Sequence, residues 1–87
     1  MIDRYQITIA DSAFKNLKRI PLPWKRRISD VIDRLVLNPF LGSKMWGELQ
    51  GKRKIRVWPY RVIYSVDEKS RSINILELGH RGHMSYR

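Results

Sequence analysis

The chain has 87 residues, of which 43% are hydrophobic, and its 18 lysines and arginines against 8 acids give a formal net charge of +10. A chain of this length has room for one small core, and we expect a single domain over residues 1–87. The absence of cysteine excludes disulfides and thiol catalysis, and with neither a leader-like start nor a membrane-length apolar run it favours a cytoplasmic protein without a membrane partner.

The first half of the chain predicts one strand followed by two helices. Residues 5–9 alternate between polar and apolar side chains, as in a strand that is buried on one face. Asp11 or Ser12 can cap a helix that Pro21 ends. After Pro23 apolar residues recur at helical spacing until residues 38–39. That stripe consists of Trp24, Ile28, Val31, Ile32 and Leu35, so we expect Trp24 in the core.

The second half predicts a loop and then a meander of strands. Residues 40–51 contain three glycines and are predicted to be a loop that enters a strand near Leu49. That strand is the first of three, at about residues 54–58, 60–66 and 71–78. We therefore expect an α+β fold, β-α-α-β-β-β, in which two N-terminal helices pack on one face of an antiparallel four-stranded sheet.

Strand pleating predicts that cations collect on one face of this sheet. A two-residue turn at Pro59 places Lys54, Arg56 and Arg61 on the same face. The opposite, helix-facing side then carries Ile55, Val57, Val62, Tyr64 and Val66. The same alternation predicts that Leu76 and Leu78 also lie on the cationic face.

The positive charge is concentrated in two runs of sequence. Residues 12–29 contain six cations and no acid, and residues 52–61 contain five cations and no acid. The helical cations are Lys15, Lys18, Arg19, Lys25, Arg26 and Arg27; they form either an ordinary solvated helix face or a surface for ribosomal RNA. The excess charge predicts a polyanionic or strongly acidic partner, which leaves RNA, DNA, an anionic membrane surface and an acidic protein open.

Two motifs in the second half resemble those of a known toxin superfamily. The first is Arg-x-x-x-Tyr-Arg-x-x-Tyr, which runs from Arg56 through Tyr60 and Arg61 to Tyr64. The second is Gly-His-Arg at residues 79–81, followed by Tyr86. Together with the order of predicted elements over nearly the whole chain, they make the sequence similar to the RelE/ParE superfamily, and within it to the RelE toxins.

This resemblance implies a RelE-like toxin of a type II toxin–antitoxin system. Such toxins inhibit translation and arrest growth by cleaving mRNA in the ribosomal A site, without metal or another cofactor, through attack of a ribose 2′-hydroxyl on the adjacent phosphate. The resemblance also implies a cognate, acidic, neutralising antitoxin, besides mRNA and the ribosome, as partners.

The resemblance assigns catalytic roles to four basic residues: Lys54, Arg56, Arg61 and Arg81. Guanidiniums stay charged and bind phosphate oxygens bidentately, which suits transition-state stabilisation. Lys54 is the candidate general base, since two neighbouring guanidiniums disfavour its charged form. Arg81 is expected near the leaving oxygen.

Other residues are expected to bind the substrate or to share in proton transfer. Tyr86 corresponds to a C-terminal tyrosine that stacks on a base, and the remaining candidates for substrate binding are Lys52, Arg53 and His83. Because imidazole titrates near neutral pH, His80 and His83 remain alternatives for proton transfer. Trp58-Pro59 is a departure, since many relatives have Gly-Asp before the Tyr-Arg pair.

Two other functions remain open on the sequence. One is inhibition of a topoisomerase by protein binding, as in the ParE branch of the superfamily, against which the full set of basic residues argues. The other is a noncatalytic RNA-binding module, whose binding would depend steeply on salt and yield no product.

Overall fold

A computed structural model describes residues 4–80 and contains two α-helices and a five-stranded sheet. The strands are β1 (Gln6–Ile9), β2 (Ser43–Lys44), β3 (Lys52–Val57), β4 (Tyr60–Asp67) and β5 (Ser72–His80). The helices are α1 (Asp11–Arg19) and α2 (Leu22–Leu37), and a 3-10 helix spans Gly47–Leu49. Neither α-helix of this part of the chain is long and apolar enough to cross a membrane.

The sheet differs in two ways from the predicted antiparallel four-stranded sheet. Its strand order is β1-β5-β4-β3-β2, and β1 runs parallel to β5 while the other neighbours are antiparallel. A parallel pair needs a long crossover instead of a hairpin, and most of the chain separates β1 from β5. The pattern of β1 alone carries no information on that direction.

The sheet also has one strand more than predicted. Ser43 and Lys44 form the short strand β2, which pairs with β3, whereas Leu49, near which the next strand was expected to begin, lies in the 3-10 helix. Gly47 and Gly51 have φ values of +70° and +92°, which favour glycine and interrupt an extended strand between them. The glycine-rich loop was therefore predicted, but the short strand β2 inside it was not, and the strand after it begins at Lys52 and not near Leu49.

Both helices pack on one face of the sheet through apolar stripes. From α2, Ile28, Ile32 and Leu35 are buried, and Trp24 packs against the same cluster, as expected. From α1, Ala13 is buried and Leu17 half-buried, while Phe14 is exposed beneath the Lys18 ammonium, 4.8 Å from the ring centroid. No side chain caps α1: Ala10 occupies the N-cap, and Asp11 lies in the first turn. The expected cap at Asp11 or Ser12 is thus wrong.

The core between helices and sheet is made by alternate residues of the central strands. On β4 these are Val62 and Tyr64, and on β5 they include Ile73 and Ile75, all with no exposed surface. The β3–β4 connection is a two-residue turn at Trp58-Pro59 with a cis peptide bond. Arg56 consequently pairs with Arg61 and Lys54 with Ile63, which confirms the predicted common face of the three cations.

Candidate active site on the open sheet face

Three rows of side chains cross the sheet on the face away from the helices, which we call the open face. The register places cross-strand partners side by side, so each row has one residue from β3, β4 and β5. The rows are Arg56–Arg61–Gly79, Lys54–Ile63–Glu77 and Lys52–Ser65–Asn74. Of the eight predicted site residues, the structure therefore gathers Lys52, Lys54, Arg56 and Arg61 on one surface.

The row of Arg56 and Arg61 ends in a residue without a side chain. The two arginines are directly opposed across β3 and β4, and Gly79 lies on the far side of Arg61. Two residues with guanidinium groups side by side give this end of the open face a high local positive charge. This end of the open face therefore attracts an anionic group such as a phosphate.

Ile63 supports the cations from the middle of the open face. It has no exposed surface, yet it is not part of the core beneath the helices. Its cross-strand partners are Lys54 and Glu77. Lysine stems cover neighbouring apolar surface while their ammonium groups stay hydrated. Ile63 is therefore an apolar neighbour for the stem of Lys54.

Glu77 is a residue of this face that the sequence pattern misplaced. Ile63 pairs with Glu77 but Tyr64 pairs with Ile75, so Leu76 is an extra residue in β5, a β-bulge. The bulge reverses the alternation, so the prediction that Leu78 lies on the cationic face is wrong: Leu78 is 1% exposed and lies in the helix-facing core. Glu77 brings a carboxylate into the row of Lys54. The residue types of β5 do not indicate this bulge.

Arg53 lies on the helix-facing side of β3, where its side chain contacts the loop before β2. It is the cross-strand partner of Tyr64. Its guanidinium donates hydrogen bonds to the carbonyl oxygens of Gly42 at 2.6 Å and Phe40 at 3.4 Å, and it lies 4.9 Å from the Phe40 ring centroid. Arg53, predicted to bind substrate, is thus not brought together with Lys54 and Arg56.

The phenol of Tyr64, a residue of β4, holds the same loop through two hydrogen bonds. Its hydroxyl donates to the Pro39 carbonyl oxygen and accepts from the Gly42 amide, both at 2.9 Å. Burial raises the pKa of Tyr64, and the Gly42 hydrogen bond and the Arg53 charge oppose that rise. A Cβ on Gly42 would lie 2.7 Å from the Lys54 carbonyl oxygen and 2.8 Å from the Tyr64 hydroxyl. Only glycine fits this approach without displacing the main chain of Lys54.

Aromatic rings form a chain at the end of the sheet near the β3–β4 turn. The Trp24 and Tyr60 centroids are 6.3 Å apart, and the Tyr60 and His80 rings meet edge to face at 5.7 Å. Trp58, at the turn, is 66% exposed. His80 is thus placed by packing, whereas the predicted site residues Arg81, His83 and Tyr86 lie outside the described residues.

The cations of the helices form a second basic surface on the other side of the molecule. Five of the six are exposed, and Lys25 is half-buried because its ammonium donates to the Lys18 carbonyl oxygen at 3.1 Å. The helices that carry them pack on the other face of the sheet, although Arg19 also lines a cleft with Glu77 and Gly79 at the β5 edge. Within residues 4–80, no group of three or more His, Asp and Glu side chains is arranged to hold a metal ion.

Comparisons with known proteins agree on one family. The model of the ParE toxin of the type II toxin–antitoxin system parDE matches residues 7–84. The chain is 29% identical over 85 residues to Toxin RelE of Mycobacterium tuberculosis, covering 95% of this chain and 87% of that protein.

Solved structures share the fold. The archaeal RelE–RelB complex of Pyrococcus horikoshii has a chain that is 31% identical with a TM-score of 0.75, covering 93% of this chain and 99% of that one. A chain of the toxin–antitoxin complex RelBE2 of M. tuberculosis is 24% identical with a TM-score of 0.80, covering 90% and 99%. The family match, the shared fold and the grouped basic residues lead to one conclusion: this chain belongs to the RelE/ParE family of type II toxin–antitoxin toxins.

Proposed function

We propose that this toxin is a ribosome-dependent mRNA endoribonuclease that cleaves by attack of a ribose 2′-hydroxyl on the adjacent phosphate, without a metal ion. The observation that supports this most strongly is the directly opposed pair Arg56 and Arg61 beside Lys54 on the open face. Guanidiniums of neighbouring residues on one sheet face can both donate hydrogen bonds to the oxygens of one phosphate group. The pair therefore fits a phosphodiester whose charge increases during the reaction.

The reaction requires three things of the site: stabilisation of the phosphate charge, removal of the 2′-hydroxyl proton and neutralisation of the leaving oxygen. Arg56 and Arg61 hold the non-bridging oxygens and stabilise the charge of the transition state. Lys54, in the next row, takes the proton of the 2′-hydroxyl as general base. Arg81 follows β5 in sequence and neutralises the leaving 5′-oxygen. With nearby cations supplying this stabilisation, the proposed mechanism involves no metal.

The test is primer extension on a defined mRNA held in a purified ribosome. We expect the wild type to produce cuts at A-site codons and Arg61→Ala to lose at least 100-fold in rate, since charged hydrogen-bond donors to a transition state contribute about that much. Arg4→Ala is the matched control, because it removes the same charge from an exposed position before β1. Equal cutting by the wild type and Arg61→Ala would contradict the assignment of Arg61.

A second candidate function is inhibition of a topoisomerase by protein binding. It is favoured by the matching family model, which is that of the ParE toxin. Under this alternative the folded toxin yields no RNA product on ribosomes and inhibits DNA supercoiling by gyrase instead. Measuring both activities on the same preparation decides between the two functions.

We also propose a cognate antitoxin as the neutralising partner. Two solved structures with this fold, from M. tuberculosis and P. horikoshii, are toxin–antitoxin complexes. The charge of +10 favours an acidic segment, and the exposed side chains of Phe40, Leu41 and Trp46 offer apolar contacts to it. Such a segment would pair its acids with the cations of the toxin.

A further inference from the structure

A groove lies at the edge of the open face, next to the proposed catalytic cations. Its volume is about 350 Å³, and residues 41–43 form one wall while residues 54–56 form the other. This volume is at the lower end of the range for small-molecule sites, about 300–1,000 Å³. The groove therefore suits a single nucleotide better than a folded segment of protein.

One wall offers main-chain hydrogen-bonding groups because β2 is short. β2 pairs only with Arg53 and Lys54, which leaves the outer edge of β3 open beyond them. The Lys52 carbonyl oxygen accepts from the Met45 amide at 2.9 Å, so it points toward β2. Main-chain groups alternate along a strand, and Arg56 shares the direction of Lys52. The N–H and C=O of Arg56 thus face the groove, where no strand of residues 4–80 pairs with them.

The other wall combines an apolar surface with a hydroxyl. Leu41 is 44% exposed, and Ser43 is also exposed. Between them Gly42 is buried and fixed, since its amide is bound by the Tyr64 hydroxyl and its carbonyl oxygen by Arg53. The wall is therefore held in place before any ligand enters, which lowers the entropic cost of binding.

We propose that this groove is a nucleobase subsite that selects the nucleotide beside the cleaved bond. The inference rests on the proposed ribonuclease activity. The base lies with its face on Leu41, and its edge forms hydrogen bonds with the Arg56 main chain and the Ser43 hydroxyl. Single-stranded RNA is recognised in this way, through ring faces and base edges. Lys54 and Arg56, which line the groove, connect the base to the phosphate on the open face.

The first test compares the cut-site preferences of variants. Wild type, Leu41→Ala, Ser43→Ala and the control Leu37→Ala are assayed on ribosomes with a panel of A-site codons. Leu37 is likewise an exposed leucine but lies at the end of α2. We expect the rate ratio between the best and the worst codon to fall about tenfold in the two groove variants, the size expected for a small change in a pocket. Leu37→Ala should keep the wild-type ratio.

An unchanged ratio in both groove variants, with normal wild-type cutting, would overturn the subsite and leave the ribonuclease intact. A second measurement covers the case in which the wild type cuts nothing. 2′-O-methyl RNA hexamers, which lack the attacking hydroxyl, are titrated into ¹⁵N-labelled protein. Shifts of the residue 41–43 amides that depend on base identity support the subsite, and their absence at saturation overturns it. The ribonuclease and the subsite therefore fail separately.

Discussion

At the scale of single residues, Tyr64 shows how a motif residue serves the site without touching substrate. It is the last tyrosine of the Arg-x-x-x-Tyr-Arg-x-x-Tyr pattern, and it is fully buried with its hydroxyl bound to Pro39 and Gly42. The phenol connects β4 to the loop that carries one wall of the groove. Its role is to hold that wall in place.

Replacing Tyr64 by phenylalanine should destabilise the protein by about 1–3 kcal/mol, because a buried amide and a buried carbonyl lose their partner. Urea denaturation of the wild type and the variant measures this difference. Tyr60→Phe is the control, since Tyr60 is only half-buried and its described contacts are through the ring. A Tyr64→Phe protein as stable as the wild type would show that water satisfies both groups.

At the scale of elements, the turn between β4 and β5 depends on one carboxylate. Asp67 Oδ1 accepts from the amides of Lys69 at 3.0 Å and Ser70 at 3.2 Å. The backbone and side-chain hydrogen bonds with Ser70 lower the pKa of Asp67 from its ordinary value of 3.8, and the backbone hydrogen bond with Lys69 adds to this effect. Arg71 completes the turn with a φ of +52°. The turn sets where β5 begins opposite β4.

A lowered pKa in the folded state makes the contribution of Asp67 to stability dependent on pH. The contribution is fully present above the ordinary value of 3.8 and is lost as the pH falls through the lower folded pKa. Asp67→Asn keeps an oxygen acceptor but cannot titrate. We expect the wild type to exceed this variant in stability at pH 6 by more than at pH 2. Urea midpoints of both proteins at the two pH values test this, and a constant difference would contradict it.

The sequence predicted the elements that follow from local patterns. Both helices follow from apolar stripes, and the common face of Lys54, Arg56 and Arg61 follows from the two-residue turn. The faces of the sheet on which Glu77 and Leu78 lie could not be predicted. A bulge reverses the alternation, and it is favoured by sheet geometry more than by residue type. The parallel direction of β1 depends on contacts with β5 that only the folded chain makes.

At the scale of the whole molecule, two groups of cations lie on elements at opposite faces of the sheet. The open face holds Lys52, Lys54, Arg56 and Arg61, while the helices carry the other basic run. If short RNA binds on the open face, the helical cations remain available for the phosphates of ribosomal RNA. The two surfaces should therefore respond to different ligands.

A double variant, Arg26→Ala with Arg27→Ala, should weaken binding to ribosomes but not to a 2′-O-methyl RNA hexamer. Arg61→Ala should weaken binding to the hexamer. For this variant the plot of log hexamer affinity against log salt should be shallower by about 0.7, the value for one phosphate contact on a single strand. Fluorescence anisotropy at several salt concentrations measures both. Equal effects of the two variants on the hexamer would mean that the basic surfaces are not separate.

The pairing of the first strand with the last has a consequence for the order of events during synthesis. β1 is synthesised before both helices and the strands β2 to β4, whereas its partner β5, which carries Glu77 and Gly79 of the open face, follows all of them. A nascent chain that lacks β5 therefore has no partner for β1 and an incomplete open face. The sheet can form in full only after β5 has been synthesised.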